Sequence, residues 1–473
     1  MLLSTFFALL SALFASPPAH TYYVAPAPAG APTGNGSHAR PWDLATALAG
    51  GGGRIQAGDT IWLTAGRYVG SFRTQLRGAP GRPIVFRQAR GARATIDGTL
   101  FAQGADLTFW GFEIMQSNPL AGTYGLQAQT NNGRFINLII HDAGSMGVSF
   151  WTPGEDAELY GCIVYHNGTH ENQDHGVYVH NERGTKLIAD NVFFENLAYG
   201  IHAYATSHNP PQQNIHIIGN IAFDNGMISQ RYRAKGNIIV GSDVPMSGMQ
   251  VSDNLLFFPP GLGENLRLGY GAVMNEDVVA SGNFIWGGEA ALKIGTGAWE
   301  KLELLNNTFG GARDVFVAVG AASMPPKTPG NEFYEGTRVP PAPAVFVRPN
   351  KYEAGRAFIV VYNFSRRPIV KADVSSVLSP GATYELRSVQ DVLGAPLARG
   401  TYTGDSISLP MQPTAFVPVR PIGRSTAAPP LTRPAFDVFV LTGGAATPRD
   451  SAEAGAAARP RARAVAPARS DRR

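Results

Sequence analysis

The chain has 473 residues, of which 44% are hydrophobic, 10% aromatic and only 16% charged, which supplies a large core and excludes wholesale disorder. Glycine (55) and proline (35) make about 19% of the chain, a level that points to a turn-rich, all-β protein. The net charge of +4 is matched by the terminal residues 444–473 alone, so the remaining body is about neutral and a nucleic-acid partner is not expected.

The first apolar run, residues 2–15 (LLSTFFALLSALFA), is too short to span a bilayer. It reads as the core of a secretory signal within residues 1–19, so the protein is expected to be secreted or periplasmic, without a membrane span. The single cysteine, Cys162 in GCIVY, rules out an intramolecular disulfide. From Thr21 the runs TYYVAPAPAG and GDTIWLTAGRY carry strand patterns around DLATALAG, a short helix starting near Asp43. Such a helix would close the open end of a repeat array.

Repeats follow. A turn residue and a short apolar run recur as GFEI at Gly111, NLII at Asn137, GCIV at Gly161, NVFF at Asn191, NIAF at Asn220, NLLF at Asn254, NFIW at Asn283 and NTF at Asn307. The spacings run from 24 to 34 residues and average 28, within the range of solenoids. A second apolar run trails most of them (YGLQA, MGVSF, HGVYV, YGIHA, GNIIV, NLRLG, AALKI). Two or three short strands per repeat, with no helical period between them, describe parallel β-helix coils over residues 20–323. The asparagine column at Asn137, Asn191, Asn220, Asn254, Asn283 and Asn307 is read as a structural amide ladder, since asparagine tolerates left-handed turns and stacks between coils.

After the repeats, residues 324–343 are proline-rich and read as a linker. Alternating runs at 344–347, 358–362, 384–388, 406–409 and 436–441 then predict a small antiparallel β-sandwich over residues 344–443. Residues 444–473 are an Ala/Pro/Arg tail with too few apolar residues to fold.

The segment from Tyr22 to Gly98, with GDTIWLTAGRY, GRPIVFRQARG and ATIDG, resembles the opening of secreted right-handed parallel β-helix proteins of the pectate-lyase-like superfamily. DHGVYVHN, GTKLIADNVFF, YGIHAY and NIIVG resemble a group of bacterial β-helix proteins. The stretch from YNFS to SLPM resembles C-terminal β-sandwiches of carbohydrate-active enzymes. This resemblance implies a right-handed coil and a polysaccharide substrate, and it makes calcium a possible cofactor; no oxygen-rich loop identifies a calcium site.

Side-chain alternation locates the exposed wall. With Val177, Val179, Ile201, Ala203, Leu266, Leu268, Leu292 and Ile294 inside, one outward column reads Gln127, Ser149, Tyr178, His202, Ile239, Arg267 and Lys293. The adjacent column reads Gln129, Trp151, His180 and Tyr204, then glycines. Coils stack about 4.8 Å apart, so Tyr178, His180, His202 and Tyr204 are expected to touch, with Arg267 two coils above His202. Eight of the ten histidines fall within residues 141–216, which marks the same region.

Such a wall suits β-elimination of a uronate polymer, which needs neutralisation of the C6 carboxylate, a base for the C5 proton and an acid for the departing O4. Arg267 or Lys293 would hold the carboxylate, His202 or Tyr178 would act as base, and Tyr204 or His180 as acid. Trp151 would stack on a sugar face. Proton return without elimination would make the same wall a C5-epimerase. A glycoside hydrolase needs two carboxylates about 5–5.5 Å or 6.5–9.5 Å apart, for which Glu171, Asp174, Glu195 and Asp224 are candidates, Asp174 beside His175 foremost. His175, His180 and His202 with Asp174 could in principle hold a metal, but no motif assigns one. A non-catalytic sugar-binding surface is the remaining alternative, and a monomer is expected.

Overall fold

The computed structural model describes residues 19–232, 235–295, 298–318, 330–413 and 417–444. The expected signal segment and the arginine-rich tail lie outside these residues, apart from their innermost positions.

The coils form a parallel β-helix with three faces. The first face is an eleven-stranded sheet running from Thr21–Val24 to Ala298–Leu305. The second opens with Gly66–Thr74 and Ala94–Ala105, which run on into the third, and continues through Glu113–Met115, Ile139–His141, Ile163–Tyr165, Val192–Phe194 and Ile221–Phe223. The third carries Leu126–Asn131, Val148–Phe150, Val177–Val179, Ile201–Ala203 and Ile238–Val240. Later, Leu255–Leu268 and Phe284–Ile294 each pass through the second and third faces in one strand.

Alternate side chains fill the interior, and Val177, Val179, Ile201 and Ala203 are fully buried. Phe86, Phe109 and Phe135 stack coil upon coil at 5.5 Å between centroids. At the N-terminal end the helix Leu44–Leu48 is capped by Asp43, whose carboxylate accepts from the Thr46 N–H at 2.7 Å. Its Leu44, Ala47 and Leu48 join the core of the first coils.

Two amide ladders run through the turns. Asn191, Asn220, Asn254, Asn283, Asn307 and Asn331 each pass a side-chain N–H to the next amide oxygen or receive one, at 2.8–3.2 Å. Asn137 does not belong to this ladder. It occupies the preceding left-handed position (φ 52), shared with Gly161 and Asp190, and its amide bonds instead to Asn350 and Glu353 of the C-terminal unit. A second ladder, absent from the sequence reading, links Asn167, Asn196, Asn225, Asn237 and Asn265 between the second and third faces.

The C-terminal unit is a five-stranded antiparallel sheet in the order Ala344–Pro349, Arg356–Tyr362, Phe436–Gly443, Thr383–Ser388, Ala398–Thr401. The antiparallel pair Ile369–Ala372 and Ile407–Pro410 faces it, with Ile359, Val361, Phe439, Val370 and Leu409 between the layers. Ile369–Ala372 and Ala398–Thr401 escape the sequence patterns because they are short and lie at the margins of their sheets.

This unit does not hang from a linker. Glu332–Tyr334, inside the proline-rich segment, pairs in parallel with Thr308–Gly310 and adds a further rung to the second face. The outer side of the five-stranded sheet lies on that same face: Phe257 and Phe436 stack at 4.4 Å, and Tyr362 donates its hydroxyl to the Leu256 carbonyl at 3.1 Å. The strands Val192–Phe194 and Ile221–Phe223 are apolar on both sides because both sides are buried.

Candidate active site

The third face presents its outward column in the expected register. Ser149 pairs with Tyr178, Tyr178 with His202, His202 with Ile239, Ile239 with Arg267 and Arg267 with Lys293. Between Asn225 and Asn237 the described residues 226–232 and 235–236 bulge out of the turn, yet the strand Ile238–Val240 after them regains the coil register. A cavity of 470 Å³ opens over this column, lined by His175, Tyr178, His202, Tyr204 and Arg267 together with Tyr199, Lys235 and Tyr270. Asn172 and Gln173 of the loop before His175 form part of its rim.

His202 lies at the centre of an aromatic group. Tyr199 and Tyr204 stack nearly parallel to its ring at 5.3 and 5.1 Å, Tyr178 is at 5.0 Å, and His175 is at 4.0 Å. Burial, with the Lys235 ammonium nearby, pulls the His202 pKa down to about 3, so its imidazole is neutral and can accept a proton. Its buried Nδ1 has no hydrogen-bond partner. His175 is also held neutral, first by burial and then by His202 and Lys235. Its Nδ1 accepts from the Tyr199 N–H at 3.2 Å, which leaves the ring proton on Nε2.

The tyrosines are proton donors. Burial pushes the Tyr178 phenol up to about 12, and Tyr204, raised by burial and by Asp243, donates its hydroxyl to the Asp243 carboxylate. Arg267 reaches the Gly269 carbonyl at 3.3 Å and lies 4.9 Å from the Tyr270 ring centroid. Lys235, whose pKa burial lowers, stands 5.7 Å from the Tyr199 ring centroid. The cavity therefore joins neutral imidazoles and phenols to two cations, and its described lining contains no carboxylate.

Four of the expected site residues stand elsewhere. His180 is fully buried beside the wall, 3.3 Å from the Pro210 carbonyl and 4.8 Å from the Trp151 ring. Trp151 packs on Tyr178 at 4.8 Å, one coil outside the cavity lining. Lys293 is drawn to Glu264, which also faces Arg267 at 3.8 Å. Asp174 is buried and holds its own loop, accepting from the Thr169 and His170 N–H groups at 2.8 and 2.7 Å and from the Ser145 hydroxyl at 2.8 Å. With its oxygens so engaged, it has no free face for chemistry.

The other candidate carboxylates are engaged or enclosed as well. Glu171 accepts from the Gln230 and Arg231 N–H groups, both at 2.8 Å. Glu195 bonds to His166 at 2.8 Å and Gln390 at 2.6 Å, and Asp224 is fully buried. Among the described residues no group of three or more His, Cys, Asp or Glu side chains could hold a metal ion. The donor set does not fit calcium.

Lys235, Tyr199 and Tyr270 escaped the sequence reading. Lys235 sits in the bulge and Tyr270 beyond a strand end, where no alternation applies. Tyr199 precedes the strand Ile201–Ala203 by two residues, in the turn, and shares the parity of the inward Ile201 and Ala203, so alternation would have assigned it to the interior.

A family profile described as the right handed beta helix region matches residues 89–256. No curated protein matches the sequence. Among solved structures, a pectate lyase aligns over 60% of this chain and 78% of its own at 18% identity and a TM-score of 0.46. An alginate lyase from a Paenibacillus species aligns over 67% and 98% at 16% identity and 0.36. The A-module of an Azotobacter vinelandii mannuronan C-5 epimerase aligns over 57% and 91% at 15% identity and 0.35.

Proposed function

We propose that this chain, a parallel β-helix whose residues 89–256 match the right handed beta helix region, is an exported enzyme that cleaves an acidic polysaccharide by β-elimination. The observation carrying this reading is a single cavity that combines neutral His202, protonated Tyr178 and the cations Arg267 and Lys235 without a lining carboxylate.

Arg267 and Lys235 hold the uronate carboxylate and stabilise the negative charge that develops as C5 loses its proton. His202 accepts that proton; the anionic substrate beside it raises its basicity from the low value of the empty cavity. Electrons from the C5–H bond form the C4–C5 double bond, and the C4–O4 bond breaks. Tyr178 protonates the departing O4. Asp243 fixes the Tyr204 hydroxyl and so orients the phenol that stacks on His202. His175 keeps a second imidazole neutral behind the first, which avoids charge repulsion when His202 becomes protonated.

The test is ultraviolet absorbance of the unsaturated uronate product on a panel of acidic polysaccharides, with a reducing-sugar assay on neutral polymers in parallel. Rising absorbance is expected. New reducing ends without absorbance would overturn the reading in favour of hydrolysis.

A further inference from the structure

Among the residues next to His202 on this wall, partly exposed cations stand on one side only. Toward the C-terminal coils the column continues through Ile239 to Arg267 and Lys293, and Lys235 leans in from the bulge. Toward the N-terminal coils the same column reads Ser149, Gln127 and Phe101 beyond Tyr178, and the neighbouring one Trp151, Gln129 and Gln103. Gln103 donates to Gln129 at 3.0 Å and Gln75 to Gln103 at 3.2 Å. This flank is amide, hydroxyl and aromatic.

The ionisable groups nearest Ser149 and Trp151 offer no free counter-charge to an anion, Lys186 being buried with its ammonium on the Phe150, Trp151 and His180 carbonyls. Glu182 lies 3.8 Å from His180 and 3.4 Å from the Thr152 hydroxyl. Arg183 is paired with Glu155 at 2.7 Å. Arg73 lies over the Phe101 ring, 4.7 Å from its centroid, at the far end of the wall.

A polymer lying along the coils meets a new rung about every 4.8 Å, close to one sugar per coil. In a homopolymer of uronate, every sugar carries a carboxylate. The sugars over Ser149 and Trp151 would then lose water from a charge that nothing on this flank pairs, with Glu182 repelling it. An uncharged sugar there would stack on Trp151 and exchange hydrogen bonds with the amides. We infer that the substrate is a heteropolysaccharide in which uronate residues are separated by uncharged sugars, with the uronate in the cavity and its neutral neighbour over Ser149 and Trp151. This inference rests on the lyase reading and narrows its substrate class.

The experiment compares initial elimination rates at equal uronate concentration on polygalacturonate and alginate, and on alternating galacturonate–rhamnose and glucuronate–N-acetylglucosamine polymers. At least one alternating polymer is expected to react about tenfold faster than either polyuronate, equivalent to about 1.4 kcal/mol. Gln127→Lys, which adds a cation outside the cavity, is expected to narrow that ratio at an unchanged thermal midpoint. Polyuronates cleaved as fast as the alternating polymers would overturn the inference and leave the lyase reading intact. Calorimetric titration of Tyr178→Phe with the same polymers separates the two claims: tighter binding of an alternating polymer without elimination by the wild type keeps the inference and overturns the reaction, and absence of both binding and elimination overturns both.

Discussion

The imidazoles of His175 and His202 lie 4.0 Å apart between centroids, on the two sides of a coil-to-coil step, and neither carries a proton charge near neutrality. Two imidazolium ions could not share this space in a poorly solvated pocket, so the pair accepts at most one proton at a time.

Acid pH therefore destabilises the fold through this pair. Both pKa values lie below the ordinary 6.5, that of His202 at about 3, so as the pH falls below about 6.5 the unfolded chain binds protons that the native chain does not. The contribution is complete above about 6.5 and is lost as the pH falls toward 3. Calorimetric midpoints of His175→Gln are expected to fall less steeply across that window than those of the wild type; parallel curves would refute the assignment.

Turnover tests the roles assigned in the cavity. His202→Ala and Tyr178→Phe are each expected to lower kcat at least roughly 10²-fold with little change in thermal midpoint. Arg267→Gln is expected to lower kcat/KM about 10²-fold through loss of carboxylate neutralisation. If the variants unfold instead, the residues are structural.

The amide ladder gives a prediction independent of function. Asn220 donates to the Ile188 carbonyl at 2.8 Å and to Asn254 at 3.2 Å, and accepts from Asn191 at 2.9 Å. Asn220→Ala leaves these buried partners unsatisfied and is expected to cost about 3 kcal/mol in denaturant unfolding.

Lys186 is fully buried and donates to the carbonyls of Phe150, Trp151 and His180 at 3.0, 2.8 and 2.9 Å. Its ammonium ties the end of one third-face strand to the turn after the next. Lys186→Met strands three acceptors and is expected to destabilise by about 3–5 kcal/mol, while Lys186→Arg, with more donors in a larger head, is expected to fail to restore stability because the tightly packed cavity has no room for it.

Much of the architecture is legible in the residues themselves. The period averaging 28 and the short apolar runs give the coils, and strict alternation in VYV and IHA gives the outward column even across the bulge, because Ile238–Val240 resumes the same parity. The mates of a side chain are not legible in that way. Nothing in the sequence tells that Asp174 spends its oxygens on Thr169, His170 and Ser145, or that Glu264 draws off Lys293. The docking of the sandwich was nearly readable: Tyr165, Phe194, Phe223 and Phe257 occupy outward positions of the second face, where a solvated wall would carry polar groups.

The excursion between Asn225 and Asn237 has a consequence for how such a protein diversifies. Asn225 donates directly to Asn237 at 2.9 Å, so the ladder is spliced across the inserted segment, whose first residues Met227, Ile228 and Ser229 are buried against the scaffold. Lys235 rides on that loop into the cavity. Closing a longer or shorter loop changes chain entropy only slowly with length, so new specificities can be sampled by exchange at the Lys235 end of this turn while the rungs above and below keep their registry.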